Sequence, residues 1–152
     1  MKDNFIIKEA VVEDSEKVGE VFDLYRQFYK KDPDKIISID YIKQRLTNKE
    51  SKIFFVEENN ICIGIVQLYI TFDSLELAKK IILYDLFVKS EYRKKGVGTM
   101  LMDVSKDFAE KNNIGGIELS TAISNGTAQS LYESLGYERD TEFYNYYLSI
   151  KK

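Results

Sequence analysis

Two spacings of apolar residues alternate along the chain. Phe5 to Glu9 reads as a first strand. Val18, Val21, Phe22, Tyr25, Phe28 and Tyr29 then recur at helical spacing, with Asp14 or Ser15 placed to cap the helix. Asp32-Pro33-Asp34 breaks that pattern. A short second helix is expected over Ile39 to Leu46. Lys52 to Glu57 and Ile61 to Thr71 read as strands joined by Glu58-Asn59-Asn60, a hairpin with a polar turn. The pattern does not determine the connection from Phe72 to Lys79. Ile81 to Val88 is nearly all apolar, as a central strand covered on both faces should be. Val97, Leu101, Val104 and Phe108 return to helical spacing. Asn113 and Gly115-Gly116 end that helix after about Asn112, with a left-handed residue expected there.

Ile117 to Thr121 is a further strand. Ser124 or Asn125 caps a helix that carries Ala128, Leu131, Tyr132 and Leu135 on one stripe and closes at Gly136. Tyr137 to Arg139 and Phe143 to Ile150 are expected to pair across Asp140-Thr141-Glu142. The order predicts one α/β (α+β) domain with a mixed, mostly antiparallel sheet flanked by helices. No internal repeat, low-complexity tract or linker interrupts it.

Between the apolar strand and the next helix lies Arg93-Lys94-Lys95-Gly96-Val97-Gly98. Strand, basic glycine turn and helix N-terminus together suit a phosphate. Glycine lets the backbone approach closely, and first-turn N–H groups lack intrahelical partners. The spacing is not that of a P-loop. Leu101, three after Gly98, also departs from GxGxxG. An ordinary loop before a helix favours the same residues, so the turn alone leaves both readings open.

Composition removes several chemistries. The 152 residues are 44% hydrophobic and 31% charged, with a net charge of −3, which argues against a general nucleic-acid binder. There is no histidine, so Ser-His-Asp and Cys-His catalysis and most catalytic zinc sites are excluded, and no metal is expected. Cys62, the single cysteine, lies in the run Ile61-Cys62-Ile63, where a buried structural thiol is expected. Phe5-Ile6-Ile7 is too short for a signal peptide, and no apolar run is long enough to span a membrane. A cytoplasmic protein with no membrane partner is expected.

Two segments together resemble a known family. The first is Asp85-Leu86-Phe87-Val88 followed by Arg93-x-x-Gly96-x-Gly98. The second is Asn125-x-x-Ala128-x-x-Leu131-Tyr132-x-x-x-Gly136-Tyr137. At this separation they are similar to the GNAT superfamily of acetyl-CoA-dependent N-acetyltransferases. The resemblance runs along nearly the whole chain and implies one such domain over 4–152. It implies a V-shaped opening between the Ile81–Val88 and Ile117–Thr121 strands, into which the pantetheine arm of the coenzyme would fit. Backbone groups of Leu86, Phe87 and Val88 would pair with the arm as an added strand does. The N–H groups of Lys94, Lys95, Gly96, Val97, Gly98 and Thr99 would take the pyrophosphate, with Arg93 nearby. Glu118, Leu119 and Ser120 would line the other side. Asn125 would hydrogen-bond the arm from the start of its helix, which also brings Ala128 and Tyr132 to the coenzyme site.

The implied activity is acetyl transfer from acetyl-CoA to a primary amine of a small molecule, such as a polyamine or an amino acid. That chemistry needs a neutral amine, a stabilised oxyanion and a proton for the departing thiolate. A phenol with pKa near ~10 holds its proton at neutral pH and suits the acid role. Tyr132 lies two helical turns after Asn125, on the same face. Spacing alone would equally place it in the Ala128/Leu131/Leu135 stripe; the resemblance makes it the acid. Several family members carry a glutamate one residue before the position of Asp85, where this chain has Tyr84. Asp85 is the nearest carboxylate. Burial on the Leu83/Phe87 face would raise its pKa toward a useful range. An equal alternative is a structural carboxylate tying down neighbouring groups, and Glu118 is a weaker candidate.

Acceptor recognition falls to Tyr25 to Lys35, Gln67 to Glu76 and Phe143 to Tyr147. These are aromatic stretches near Asp23, Asp32, Asp34, Asp73 and Glu76, though most such residues are ordinary core aromatics and solvated acids. A non-catalytic domain that binds acetyl-CoA as a sensor or scaffold is the competing reading. Phe143 to Leu148 carries aromatics on both faces, which would suit a homodimer interface.

Overall fold

A computed structural model describes residues 4–151. Two compact units divide the chain, 1–120 and 121–152. The first holds one five-stranded sheet in the order β1 (Phe5–Glu9), β2 (Lys52–Glu58), β3 (Ile61–Asp73), β4 (Ala78–Val88), β5 (Gly116–Leu119). Three of its pairings are antiparallel, and β4 with β5 is parallel. Helices α1 (Ser15–Phe28) and α2 (Lys35–Thr47) precede β2, and α3 (Val97–Lys111) links β4 to β5. No described helix is long and apolar enough to cross a membrane.

The strand alternation sorts the core into two layers. Ile53 and Phe55 of β2 pack with Val18, Val21 and Phe22 of α1 and Ile42 of α2. Phe54, between them in sequence, points the other way and meets Phe108 of α3 with ring centroids 5.9 Å apart. β2 is therefore buried on both faces. Two glycines permit the closest approaches. A Cβ on Gly19 would lie 2.6 Å from Cα of Ile39, where α1 crosses α2. A Cβ on Gly64 would lie 3.0 Å from Val97 Cγ1 and 3.2 Å from the Phe87 carbonyl oxygen, beneath the start of α3.

Several element boundaries move from their expected places. α2 begins at Lys35 rather than Ile39, because the Asp34 carboxylate accepts from the Ile37 N–H at 3.1 Å and caps the helix there. Ile36 and Ile37 in that first turn are exposed, so apolar periodicity could not find it. Asp14 precedes α1, but its side chain turns back to the Val11 N–H at 2.9 Å. The connection over 72–79 is the tip of a β3–β4 hairpin, paired out to Asp73 with Ala78. Asn113 (φ 53°) and Gly136 (φ 93°) do take the left-handed conformation that ends their helices.

The second unit contains α4 (Gly126–Ser134). The Asn125 side chain caps it by accepting from the Ala128 N–H at 3.1 Å. The expected final hairpin does not form: residues 137–151 carry no strand. Phe143, Tyr144, Tyr146, Tyr147 and Leu148 are exposed. Aromatics fall on both faces of the segment, so no register buries one set, and three residues at 137–139 are a short partner. The dimer expectation stood on that strand.

Candidate active site

β4 and β5 run side by side only from Lys80 with Gly116 to Leu83 with Leu119. Beyond Leu83, β4 continues to Val88 with no strand on that side among the described residues, so the sheet opens along β4 past the end of its edge strand β5. The register with β3 also slips there. Gln67 faces Asp85 and Leu68 faces Leu83, which leaves Tyr84 as the extra residue of a β-bulge. The Lys89 N–H donates to the Ile63 carbonyl at 2.9 Å. Alternation along the antiparallel ladder then gives Phe87 and Asp85 to β3 as well, and turns the backbone groups of Leu86 and Val88 toward the opening. Of the three residues expected to pair with the pantetheine arm, Leu86 and Val88 have that orientation, and Phe87 faces β3.

The bulge presents Asp85 beneath an open cavity of about 460 Å³, lined by Tyr41, Tyr69, Ile82, Tyr84 and Asp85. Asp85 is only 5% exposed. Burial raises its pKa, partly offset by hydrogen bonds from Gln67 and Tyr25 to the charged form. The Gln67 Nε2 donates to Asp85 Oδ2 at 2.7 Å, and Ser51 Oγ donates to Gln67 Oε1 at 2.7 Å. A side-chain line from Ser51, just before β2, thus fixes one carboxylate oxygen. On the other side the Tyr25 hydroxyl reaches the Tyr84 carbonyl at 3.3 Å. Burial and the nearby Asp85 charge raise the Tyr25 pKa, so this phenol stays protonated. Tyr69, beside the same carboxylate, is raised for the same first reason.

The basic turn lies at the end of the same strand. Gly96 adopts φ 86° and is the N-cap of α3, with no side chain capping it and nothing within 4 Å of where a Cβ would stand. Lys94 also has positive φ, at 62°. α2 and α4 are capped by Asp34 and Asn125, whereas the first N–H groups of α3 are left to an outside acceptor. An open glycine turn at an uncapped helix start fits a pyrophosphate. Arg93 is partly committed to structure. Its Nε donates to the Val88 carbonyl at 3.0 Å, and its guanidinium lies over the rings of Phe28 and Phe87 at 5.6 and 5.4 Å. It pins the turn to the end of β4.

Other candidates resolve in different ways. Glu118 is paired with Lys80 at 3.1 Å across β4 and β5 and is exposed, a cross-strand ion pair rather than a buried base. Ser120 follows β5 in the first unit. Tyr132 sits on α4 of the second unit, its ring 6.1 Å from that of Tyr137. Asp23 is buried and accepts from Ser38 Oγ at 2.7 Å, the Asp34 N–H at 3.0 Å and Gln27 Nε2 at 2.9 Å. Burial pushes its pKa up, but these bonds and Arg26 outweigh that, and the carboxyl titrates below its ordinary range. It ties α1 to the start of α2. Asp73 accepts the Glu76 N–H at 3.3 Å in the hairpin tip. Cys62 is a buried free thiol whose pKa burial pushes up to about 12, too high for a nucleophile. Gln67, with Ser51 behind it, and the Tyr25 hydroxyl carry no local signal as partners of Asp85, because only strand pairing and the α1 packing bring them to it.

A profile of the Acetyltransferase (GNAT) family matches residues 18–137. The chain is 40% identical over 144 residues to the Bacillus subtilis protein described as uncharacterized N-acetyltransferase YhfO, covering 95% of this chain and 97% of that one. The structure of a probable acetyltransferase superposes with a TM-score of 0.90 at 33% identity, covering 97% and 99% of the two chains. The aminoglycoside N-acetyltransferase AAC(6')-Iy, in complex with CoA, shares the fold with a TM-score of 0.82 at 16% identity, covering 99% and 98%.

Proposed function

Because the chain belongs to the GNAT acetyltransferase family, whose members transfer acetyl from acetyl-CoA, we propose that its acceptor is the primary amine of a small molecule and that Asp85 takes the amine's proton. The observation that carries this reading is a buried carboxylate opening onto an aromatic cavity. Its raised pKa makes it a better proton acceptor than an exposed aspartate, and Gln67 holds it in one orientation.

Bound acetyl-CoA supplies the thioester carbonyl carbon that the amine attacks. The N–H groups from Lys94 through Thr99, including Lys95, Gly96, Val97 and Gly98, hold the pyrophosphate, with Arg93 anchoring the turn. Leu86 and Val88 offer the arm backbone groups, and Ser120 lies across the opening. The Leu86 or Val88 N–H is a fixed donor for charge developing on the carbonyl oxygen. By the family resemblance, Asn125 at the N-cap of α4 and Ala128 and Tyr132 within it are the second unit's candidates for the coenzyme arm, the Tyr132 hydroxyl being the source of the proton that the leaving sulfur needs.

Thiol release from acetyl-CoA against a panel of amines, with the N-acetylated product identified by mass, tests the reading. Amine-dependent release of both products in equal amounts is expected. Release without any amide, or none above background while CoA binds, contradicts it.

A further inference from the structure

The cavity above Asp85 is built for one charge and a flat apolar body. Its lining offers three phenol rings, one aliphatic side chain and one carboxylate, with no basic residue. The rings are held in place. Tyr41 is stacked on Phe22 at 5.5 Å with planes 10° apart, and Arg45 lies 4.4 Å from the Tyr41 ring. The Tyr41 and Tyr69 hydroxyls are 3.3 Å apart, which joins α2 to β3 across the cavity. Tyr69 and Tyr84 meet edge to face at 5.9 Å and 85°. Such a wall favours an organic cation or a second ring.

Three acids of the neighbouring elements are engaged elsewhere. Asp23 is buried in the α1–α2 joint, Asp34 caps α2, and Asp73 closes the hairpin tip. Asp85 is the one acid among the residues lining the cavity. A polyamine or aminoglycoside would find no second carboxylate in the lining to pair with its further ammonium groups.

We propose that Tyr41, Tyr69, Tyr84 and Ile82 form the acceptor subsite and select a monoamine whose amino group is carried on an aromatic or comparably flat apolar body. This rests on the acetyl-transfer reading, with the amine placed at Asp85. The rings hold the body, and the amine's proton passes to the carboxylate.

The test compares 2-phenylethylamine with spermidine and kanamycin as acceptors, and titrates 2-phenylethylamine by calorimetry into the protein saturated with CoA. The aromatic monoamine should exceed both polycations in kcat/KM by about tenfold or more. Tyr69→Ala should raise its KM and weaken its calorimetric binding, while Tyr69→Phe, which keeps the ring face and gives up only the hydroxyl contact with Tyr41, should recover most of both. Tyr84→Ala, at an exposed position, guards against misfolding of the Tyr69 variant and should also weaken binding. Preference for a polycation, or indifference of 2-phenylethylamine to both alanine variants, would overturn the proposal. Binding with this mutational pattern but no turnover of any amine would sink the acetyl-transfer reading and leave the subsite standing.

Discussion

Asp85 is an acid, buried and held, and those three facts pull in different directions. Burial raises its pKa, so its carboxylate form is disfavoured in the folded chain. A carboxyl with a raised folded pKa contributes stability below its unfolded pKa and loses it as pH rises through the folded one. At pH 7 the group therefore costs stability. Asp85→Asn should lower turnover by about a hundredfold or more, leave CoA affinity unchanged, and hold or raise Tm at pH 7 in a calorimetric melt. A large fall in Tm would instead make Asp85 a structural tie. Tyr132→Phe should keep coenzyme affinity and lower kcat by about tenfold to a thousandfold; unchanged turnover would remove it from the acid role. At this scale the sequence exposed residue types but not partners. Asp85 stood out as a carboxylate in an apolar run. Gln67 lies eighteen positions away and Tyr25 sixty, and only pairing and packing bring them to it.

Elements carry the site through close approaches that only glycine allows. Gly64 lets the start of α3 lie on β3, with Val97 Cγ1 3.0 Å and Leu101 Cδ1 3.3 Å from where a Cβ would be. Gly64→Ala should push the α3 N-terminus off the strand, cost about 1–3 kcal/mol in denaturant unfolding, and weaken CoA binding. Loss of stability with CoA affinity intact would detach the turn from this contact. The amphipathic helices and the β2–β3 hairpin were legible because their apolar periods are clean. The first turn of α2 was not, since its stability comes from the Asp34 cap while Ile36 and Ile37 face solvent. Nor was the bulge at Tyr84, because a bulge is a property of two strands in register rather than of one. The terminal hairpin misled for the opposite reason: β-forming residues were present, but with no single face to bury.

Across the whole molecule, buried acids act on stability with opposite signs. Glu57 is 2% exposed and is paired with Lys8 and Lys17. The hydrogen bond from Lys8 leads the effects that hold its pKa below the ordinary range, against the opposing pull of burial. Its contribution is present above the unfolded pKa and is lost as pH falls through the folded one. Glu57→Gln should therefore lower Tm at neutral pH and flatten the acid limb of the Tm–pH curve. A parallel curve displaced by a constant would show that the charge is not the source. The family motifs identified the overall fold because they mark the strand, turn and helix that would hold the coenzyme. The cavity wall draws on residues from α2, β3 and β4, and no local pattern marks such a convergence.

The most direct measurement is the pH dependence of kcat/KM for amine acetylation in wild type and Asp85→Asn. If Asp85 is the base, wild-type activity rises through an acid limb set above the ordinary aspartate range. In the variant that limb disappears and the plateau drops. An Asn variant with the same limb and the same plateau would contradict the assignment.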